Sequence, residues 1–206
     1  MKKTIIFDQD GTLVDIEPVF IKILNALAPE FGFAPLREEE LPTLKKFHLK
    51  SFIWKRLGWR LFLFPLILKR GREEYHKRIP EVELFSGTKE LIETLRSHGH
   101  SIGIVSSSRK DTITALMEKF GIHMDFIYQC HLFSKSKTLA LVLKERNLAL
   151  SEVVYIGDEV RDVESCRKIG LDILSVTWGL NSKVALQAIG ADTVDTREEL
   201  LARLVQ

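Results

Sequence analysis

The sequence predicts an α/β protein whose core is a doubly wound parallel sheet, joined to a small all-helical cap domain. Short apolar segments alternate with helical patterns from residue 84 onward. Residues 16–83 contain helical patterns and no convincing strand. Aspartates follow two apolar segments that lie far apart in the sequence. The first observation predicts the sheet, the second predicts the cap, and the third predicts a functional site at one sheet edge.

The first predicted strand is the apolar run that ends at Phe7, and two acids follow it. Asp8 and Asp10 are separated by one residue, and Gly11 allows a sharp turn after them. Two crowded carboxylates repel each other unless a cation or a shared proton compensates. The pattern therefore favours a divalent metal beside a nucleophile, and the alternative is an ordinary strand followed by an Asp-rich turn.

Residues 16–83 are predicted to form an all-helical insertion after the first strand. The segment is too long for a simple crossover between neighbouring strands, and prolines and glycines interrupt its apolar patterns. We therefore expect a core made of residues 1–15 and 84–206, with residues 16–83 forming a cap that acts as a lid above the strand ends.

The remaining elements follow from apolar periodicity and from glycines that end helices. The predicted helices cover 87–97, 110–120, 138–146, 160–169, 182–189 and 196–204, and the predicted strands cover 101–105, 126–128, 153–156 and 172–177. Strands that alternate with helices predict right-handed crossovers and a Rossmann-like parallel sheet.

A second acidic group follows the strand predicted at 153–156. Asp158 lies at the end of this strand, and Asp162 falls in the first turn of the next helix. Capping of that helix would explain either acid singly. Because parallel strands place their carboxyl ends at one sheet edge, we expect Asp158 to meet Asp8 and Asp10 there.

Composition limits the possible functions. The 206 residues carry a net charge of +2, which gives no strong field for nucleic acid, and 45% hydrophobic residues are typical of a globular protein. Two distant cysteines argue against a disulfide framework and favour a reducing compartment. No secretory signal pattern and no apolar run of about 20 residues is visible, so we expect a cytoplasmic location without a transmembrane segment.

Aromatic and basic residues surround an apolar run within residues 54–72. Trp54, Trp59 and Arg60 precede the run, and Lys69 and Arg70 follow it. The pattern favours a buried cap helix with snorkelling bases, and the alternative is contact with a membrane surface or a lipid-like ligand.

With these residues in view, the chain resembles the haloacid dehalogenase-like hydrolase superfamily, in its phosphoglycolate-phosphatase-like branch. The resemblance covers most of the chain. Its first motif corresponds to residues 8–15, its second to the apolar strand that ends at Ser106 and Ser107, its third to Lys135, and its fourth to residues 157–162. Lys137 is the alternative to Lys135 for the third motif.

The resemblance implies a Mg²⁺-dependent phosphatase that hydrolyses a small phosphorylated metabolite through an aspartyl phosphate. It implies that Asp8 is the nucleophile and Asp10 the general acid and base. It also implies a metal site at Asp8, the main-chain carbonyl of Asp10, and Asp158. The phosphate is then expected to bind Ser106, Ser107 and Lys135, supported by Gly11, Thr12, Gly157 and Asp162.

Two other functions remain open at this level. A sugar phosphomutase of the same superfamily keeps both acids of the first motif and differs in its cap. A non-catalytic binding or regulatory module would dock through residues 54–72. The unusual cap also suggests a substrate with an apolar portion. The sequence does not reveal the oligomeric state.

Overall fold

Eight strands are present in the computed structural model, which describes residues 3–46 and 49–205. They are β1 (Thr4–Phe7), β2 (Val14–Asp15), β3 (Glu83–Leu84), β4 (Ser101–Ser106), β5 (Phe126–Gln129), β6 (Val153–Gly157), β7 (Asp172–Val176) and β8 (Thr193–Val194). Six of them form one sheet in the order β5-β4-β1-β6-β7-β8, and all neighbouring pairs are parallel. The predicted parallel α/β sheet is confirmed.

Helices follow the strands along the chain. They are α1 (Glu17–Phe31), α2 (Leu41–Leu44), α3 (Leu49–Leu57), α4 (Phe64–Lys77), α5 (Thr88–Ser97), α6 (Lys110–Phe120), α7 (Lys135–Glu145), α8 (Val160–Arg167), α9 (Lys183–Ala188) and α10 (Arg197–Leu204). Crossovers through α5 to α9 account for the parallel order of the sheet.

Both faces of the sheet are covered, which explains why its strands are continuous apolar runs. Along β1, Ile5 and Phe7 belong to one apolar cluster and Ile6 to another, because successive side chains point to opposite faces. Tyr155 of β6 is fully buried in the second cluster. The sheet therefore separates two apolar layers.

Residues 16–83, which we call the helical segment, contain α1 to α4 and three short 3₁₀ helices. Residues 47 and 48 of this segment lie outside the described residues. The chain enters and leaves the segment through an antiparallel pair, in which Val14 lies opposite Leu84 and Asp15 opposite Glu83. The two junctions therefore lie side by side.

Several element boundaries differ from the sequence prediction. The two-residue strands β2, β3 and β8 were not predicted, because such short pairings leave no periodic pattern. Helix α7 begins at Lys135, three residues before the predicted start. The early start matters for the site because it places Lys135 in the first turn of a helix.

None of the helices in residues 3–46 and 49–205 has the length and apolar character needed to cross a membrane.

Candidate active site

The predicted acids lie at the carboxyl edge of the sheet. Phe7 at the end of β1 lies opposite Ile104 of β4 and Ile156 of β6, so the three strands end at nearly the same level. The main-chain N–H of Asp8 donates to the carbonyl of Ile156 at 2.8 Å. This hydrogen bond extends the pairing of β1 with β6 by one residue. It therefore fixes the main chain of Asp8, and with it the position of the carboxylate, at the end of the strand.

The turn after Asp8 brings the first motif into contact with the fourth. Gly11 has a φ of +81°, which favours glycine, and the amide of Leu13 closes the turn on the Gln9 carbonyl at 2.9 Å. Thr12 donates its hydroxyl to Asp158 Oδ1 at 2.8 Å, across 146 residues of sequence. The first and fourth motifs are thus directly hydrogen-bonded.

Asp8, Asp158 and Asp162 form a buried cluster whose ligand oxygens all lie within 4.8 Å of one another. Asp158 also accepts from the amide of Leu180 at 2.7 Å. The loops approach so closely that a Cβ on Gly11 would lie 2.2 Å from Asp158 Oδ2. A Cβ on Gly179 would lie 2.3 Å from the same atom, so glycine is required on both sides of this carboxylate.

Lys135 is the cation of the cluster. Its Nζ lies 2.6 Å from Asp8 Oδ2 and 2.5 Å from Asp162 Oδ1, and the side chain is buried. Burial lowers the pKa of Lys135, but the charges of Asp162 and Asp8 outweigh it and keep the pKa above its ordinary value. Lys137 is exposed, so the geometry favours Lys135 as the lysine of the third motif.

The cluster carries more negative charge than Lys135 can balance. Burial, followed by the charges of Glu159, Asp162 and Asp8, raises the pKa of Asp158 well above its usual value. Burial also raises the pKa of Asp162 to about 6, although Lys135 opposes this shift. Buried carboxylate oxygens with an excess of negative charge are suited to a hard divalent cation, so the residues present fit such an ion.

The Asp10 carboxylate points to a different set of partners. Ser108 donates its hydroxyl to Asp10 Oδ2 at 2.5 Å, Tyr75 donates to Oδ1, and Gln9 Nε2 donates to the same oxygen at 3.1 Å. Burial raises the pKa of Asp10 above its usual value, although the hydrogen bonds from Ser108 and Tyr75 oppose this shift. Three donors therefore fix the orientation of this carboxylate.

The two predicted phosphate-binding serines lie between β4 and α6. Ser106 is the last residue of β4, and its hydroxyl oxygen accepts from the amide of Ser108 at 3.4 Å. Helix α6 begins at Lys110, where the sequence predicted it, so the amides of Ser107 and Ser108 belong to the loop that precedes the helix. The serines thus form a turn beside Asp10.

Four polar residues near this loop were not predicted as site residues from the sequence. Tyr75 and Arg72 come from α4, and Arg72 donates to the carbonyl of Ser107 at 2.8 Å. Arg161 pairs with Glu159 at 2.5 Å and lies 3.5 Å from the Ser107 hydroxyl. Glu159 and Arg161 lie inside the fourth motif, and Arg72 lies in the basic and aromatic stretch at 54–72, so only Tyr75 had no signal in the sequence.

Gly157 and Asp162 are also in contact. A Cβ on Gly157 would lie 2.5 Å from Asp162 Oδ2, and the amide of Glu159 donates to the same oxygen at 3.3 Å. Asp162 is therefore held between the end of β6, the start of α8 and Lys135. Every predicted site residue lies at this edge of the sheet or next to it.

Known proteins resemble this chain over most of its length. The sequence model of the haloacid dehalogenase-like hydrolase family matches residues 5–176. A phosphoglycolate phosphatase from Synechococcus elongatus is 33% identical over 208 residues, which cover 99% of this chain and 98% of the relative. An N-acetylmuramic acid 6-phosphate phosphatase from Pseudomonas aeruginosa is 26% identical over 189 residues, covering 86% of this chain and 82% of that protein.

Solved structures share the fold. A hydrolase of the haloacid dehalogenase-like family from Streptococcus pneumoniae superposes on this chain with a TM-score of 0.84 at 24% sequence identity. The superposition covers 98% of each chain, so the helical segment as well as the sheet has a counterpart in that structure.

Proposed function

Because this chain belongs to the haloacid dehalogenase-like hydrolase family, we propose that it is a phosphatase that hydrolyses small phosphomonoesters to an alcohol and inorganic phosphate. The observation that carries the proposal is the meeting of Asp8, Asp158, Asp162 and Lys135, which come from three distant parts of the sequence. The relatives described above are named as phosphatases, which supports the same reaction class.

Asp8 and Asp10 divide the chemistry between them in this proposal. A carboxylate oxygen of Asp8 attacks phosphorus, the bond from phosphorus to the ester oxygen breaks, and Asp10 gives its proton to the leaving alkoxide. Asp10 then takes a proton from water, whose oxygen attacks the aspartyl phosphate and releases inorganic phosphate. The hydrogen bonds from Ser108 and Tyr75 hold Asp10 in position for both proton transfers.

The remaining site residues would bind the metal ion and the phosphate group, or position the groups that do. We propose that Asp8, the main-chain carbonyl of Asp10, and Asp158 would hold Mg²⁺, which when bound neutralises the charge of the incoming phosphate. Ser106, the Ser107 amide and Lys135 bind phosphate oxygens. Gly11 and Thr12 keep Asp158 in place, and Asp162 and Gly157 position the Lys135 ammonium.

Hydrolysis of p-nitrophenyl phosphate tests this proposal. We expect activity with Mg²⁺, loss of activity with EDTA, and loss of about 10²–10⁴-fold in Asp10→Asn, the usual contribution of a general acid. Asp8→Asn removes the nucleophile and should abolish turnover. Asp172→Asn is the matched control, because Asp172 is exposed at the start of β7, and it should retain activity.

Wild-type activity that survives both site substitutions would contradict the proposed chemistry. The product separates the two enzymatic alternatives, because a phosphatase releases inorganic phosphate whereas a phosphomutase returns an isomeric sugar phosphate. Phosphoglycolate is the first metabolite to assay, because the relative with 33% identity is named for it.

We further propose that residues 1–15 and 84–206 form the catalytic domain and that residues 16–83 form a helical cap. Two contacts support this division. The paired junctions at β2 and β3 let the helical segment be inserted without disturbing the sheet. Tyr75 and Arg72 reach the site from α4, so the cap contributes to the site as a lid would.

Contact with a membrane surface is a second candidate function of the helical segment. Trp54, Trp59 and Phe62 are 61%, 74% and 68% exposed, and the guanidinium of Arg60 lies 4.6 Å from the Trp59 ring centroid. Exposed aromatic and basic side chains suit the interface of an anionic bilayer. We expect the protein to float with anionic vesicles and the double variant Trp59→Ala/Arg60→Ala to float less; absence of wild-type flotation would refute this candidate.

The cellular location that we propose is the cytoplasm. Cys130 and Cys166 are both unpaired and buried, which is compatible with a reducing compartment. Cell fractionation with a cytoplasmic marker enzyme tests this proposal.

A further inference from the structure

An apolar cavity of about 280 Å³ lies between the helical segment and the site. Asp10, Gly11 and Ser107 line its end at the sheet edge. Its walls come mainly from α1, α3 and α4, including Leu24, Ile53 and Phe64. The cavity therefore runs from the proposed general acid into the interior of the helical segment.

The charged groups that border the cavity are mostly engaged with protein atoms elsewhere. Arg56 donates to the carbonyls of Ala34 and Pro35, at 2.7 and 2.8 Å, and pairs with Glu40. Glu17 pairs with Lys45 at 2.5 Å. The charged side chains along the walls are thus hydrogen-bonded or ion-paired to other protein groups. Arg72 and Arg161, by contrast, lie close to Ser107 at the sheet-edge end of the cavity.

The cavity is partly open to solvent, and its walls are almost entirely apolar. Without an occupant these apolar side chains would face water, which costs free energy. At roughly 30 Å³ for each group of water size, this cavity has room for about nine groups. Ligand sites combine such apolar walls with a few polar groups at one end.

We propose that this cavity binds the organic part of the substrate and that this part is an apolar chain or ring system of about nine non-hydrogen atoms. The inference rests on the proposed phosphatase function and names its substrate class. The phosphate would lie at the polar end beside Asp10, and the apolar group would extend between α1 and α4. A small charged ester such as phosphoglycolate would leave these walls in contact with water and lose the benefit of burying them.

A series of n-alkyl phosphates tests the proposal with the wild-type protein. We expect kcat/KM to rise about fourfold for each added methylene, from ethyl phosphate until the cavity is full at about nine carbons. Decyl phosphate should then exceed phosphoglycolate by several orders of magnitude. Hydrolysis of the short esters without dependence on chain length would overturn this inference and leave the phosphatase proposal intact, whereas no hydrolysis of any ester would refute the phosphatase proposal.

A matched pair of variants locates the binding site. Leu24→Trp fills the cavity and should reduce kcat/KM for decyl phosphate at least tenfold, with ethyl phosphate little changed. Leu66→Trp adds the same ring at a residue that is 49% exposed on α4 and outside the cavity, and it should behave as wild type. Equal chain-length profiles for the three proteins would overturn the assignment.

Calorimetry measures binding without turnover and does not depend on how well the variants fold. Decylphosphonate lacks the hydrolysable ester bond, so its binding can be measured with Mg²⁺ present and without turnover. We expect it to bind the wild-type protein at least a hundredfold more tightly than methylphosphonate, with a negative heat-capacity change from burial of apolar surface. Equal affinities of the two phosphonates would overturn the inference.

Discussion

Tyr75 shows how a single side chain joins the helical segment to the chemistry. It comes from α4, lies 65 residues from Asp10 in the sequence, and donates its hydroxyl to the Asp10 carboxylate. Burial, and then the charge of Asp10, raises the pKa of Tyr75 well above its usual value, so the phenol keeps its proton as a donor. No pattern in the sequence could have paired these two residues, because the contact depends on where Tyr75 of α4 meets the loop after β1.

We expect Tyr75→Phe to lower kcat by about tenfold to hundredfold, because a hydrogen bond to a charged group contributes about 1.5–3 kcal/mol. KM should change little, since Asp10 acts on the leaving oxygen and not on substrate affinity. Tyr128→Phe is the control, because the Tyr128 hydroxyl donates to Glu145 at 2.8 Å on an exposed surface. Identical kcat values for both variants would show that Tyr75 does not position Asp10.

Gly11 offers a second test at the residue scale. An Ala at a φ of +81° costs about 1–2 kcal/mol of conformational energy. Its Cβ would also displace Asp158 Oδ2 from the hydrogen bond with Leu180. We therefore expect Gly11→Ala to lose stability in urea and, in addition, to need at least tenfold more Mg²⁺ for half-maximal activity.

Gly99→Ala separates these two effects. Gly99 has a φ of +83°, and a Cβ there would meet nothing within 4 Å. This variant should lose similar stability and keep the Mg²⁺ dependence of the wild type. A change of the Mg²⁺ dependence in Gly99→Ala as well would mean that the effect comes from general destabilisation.

At the scale of elements, the loop before β5 is tied to the start of β4 by one carboxylate. Asp125 accepts from the Ile102 amide at 2.7 Å, from Ser101 Oγ at 2.9 Å and from Arg96 at 3.0 Å. Burial raises the pKa of Asp125, but these three donors outweigh it and lower the pKa below its usual value. Asp125 therefore binds its proton more weakly in the folded than in the unfolded protein.

This difference makes a contribution to stability that depends on pH. The contribution is complete above the unfolded pKa of about 3.9 and is lost as the pH falls through the lower, folded pKa. We expect Asp125→Asn to lower the free energy of unfolding by about 1 kcal/mol at pH 7, since the site is partly exposed, and by less at pH 3. Urea denaturation at both values measures the difference from wild type.

Glu93→Gln, an exposed substitution on α5, is the control and should differ little from wild type at either pH. A deficit in Asp125→Asn that stays constant from pH 7 to pH 3 would contradict the assignment of this pH dependence to Asp125.

The early start of α7 has a tertiary cause. The first residue of this helix, Lys135, is buried, which sequence patterns alone would not favour for a lysine. Its ammonium is drawn inward by Asp8 and Asp162, and this attraction offsets the cost of burial. Sequence periodicity recognised the later turns of the helix, where Leu139 and Val142 face the core.

At the scale of the whole molecule, the chain enters and leaves the helical segment at one place. Asp15 and Glu83 lie opposite each other in the β2–β3 pair, which lies outside the six-stranded sheet. A tight turn can replace everything between them, because an Asn-Gly pair closes an antiparallel pair of strands.

We expect a chain with residues 16–82 replaced by Asn-Gly to unfold cooperatively and to keep the circular-dichroism signature of an α/β core. Its kcat for p-nitrophenyl phosphate should fall at least tenfold, because Tyr75 and Arg72 are removed. A chain with a six-residue Gly/Ser linker at the same place is the control. Because this linker is flexible and imposes no turn, the control should have a lower thermal midpoint than the Asn-Gly chain. Failure of both chains to fold would refute the division into two domains.

The sequence alone determined the parallel α/β core, the edge at which Asp8 and Asp158 meet, and the position of the helical segment, because hydrophobic periodicity and strand ends are encoded locally. Only the tertiary structure decided the partners of Asp10, the burial of Lys135 and the apolar cavity. Each of these depends on how α1, α4 and α7 pack over the sheet edge, and packing joins residues that share no local pattern. The short strands β2, β3 and β8 were missed for the same reason, since two residues acquire strand geometry only from the neighbour with which they pair.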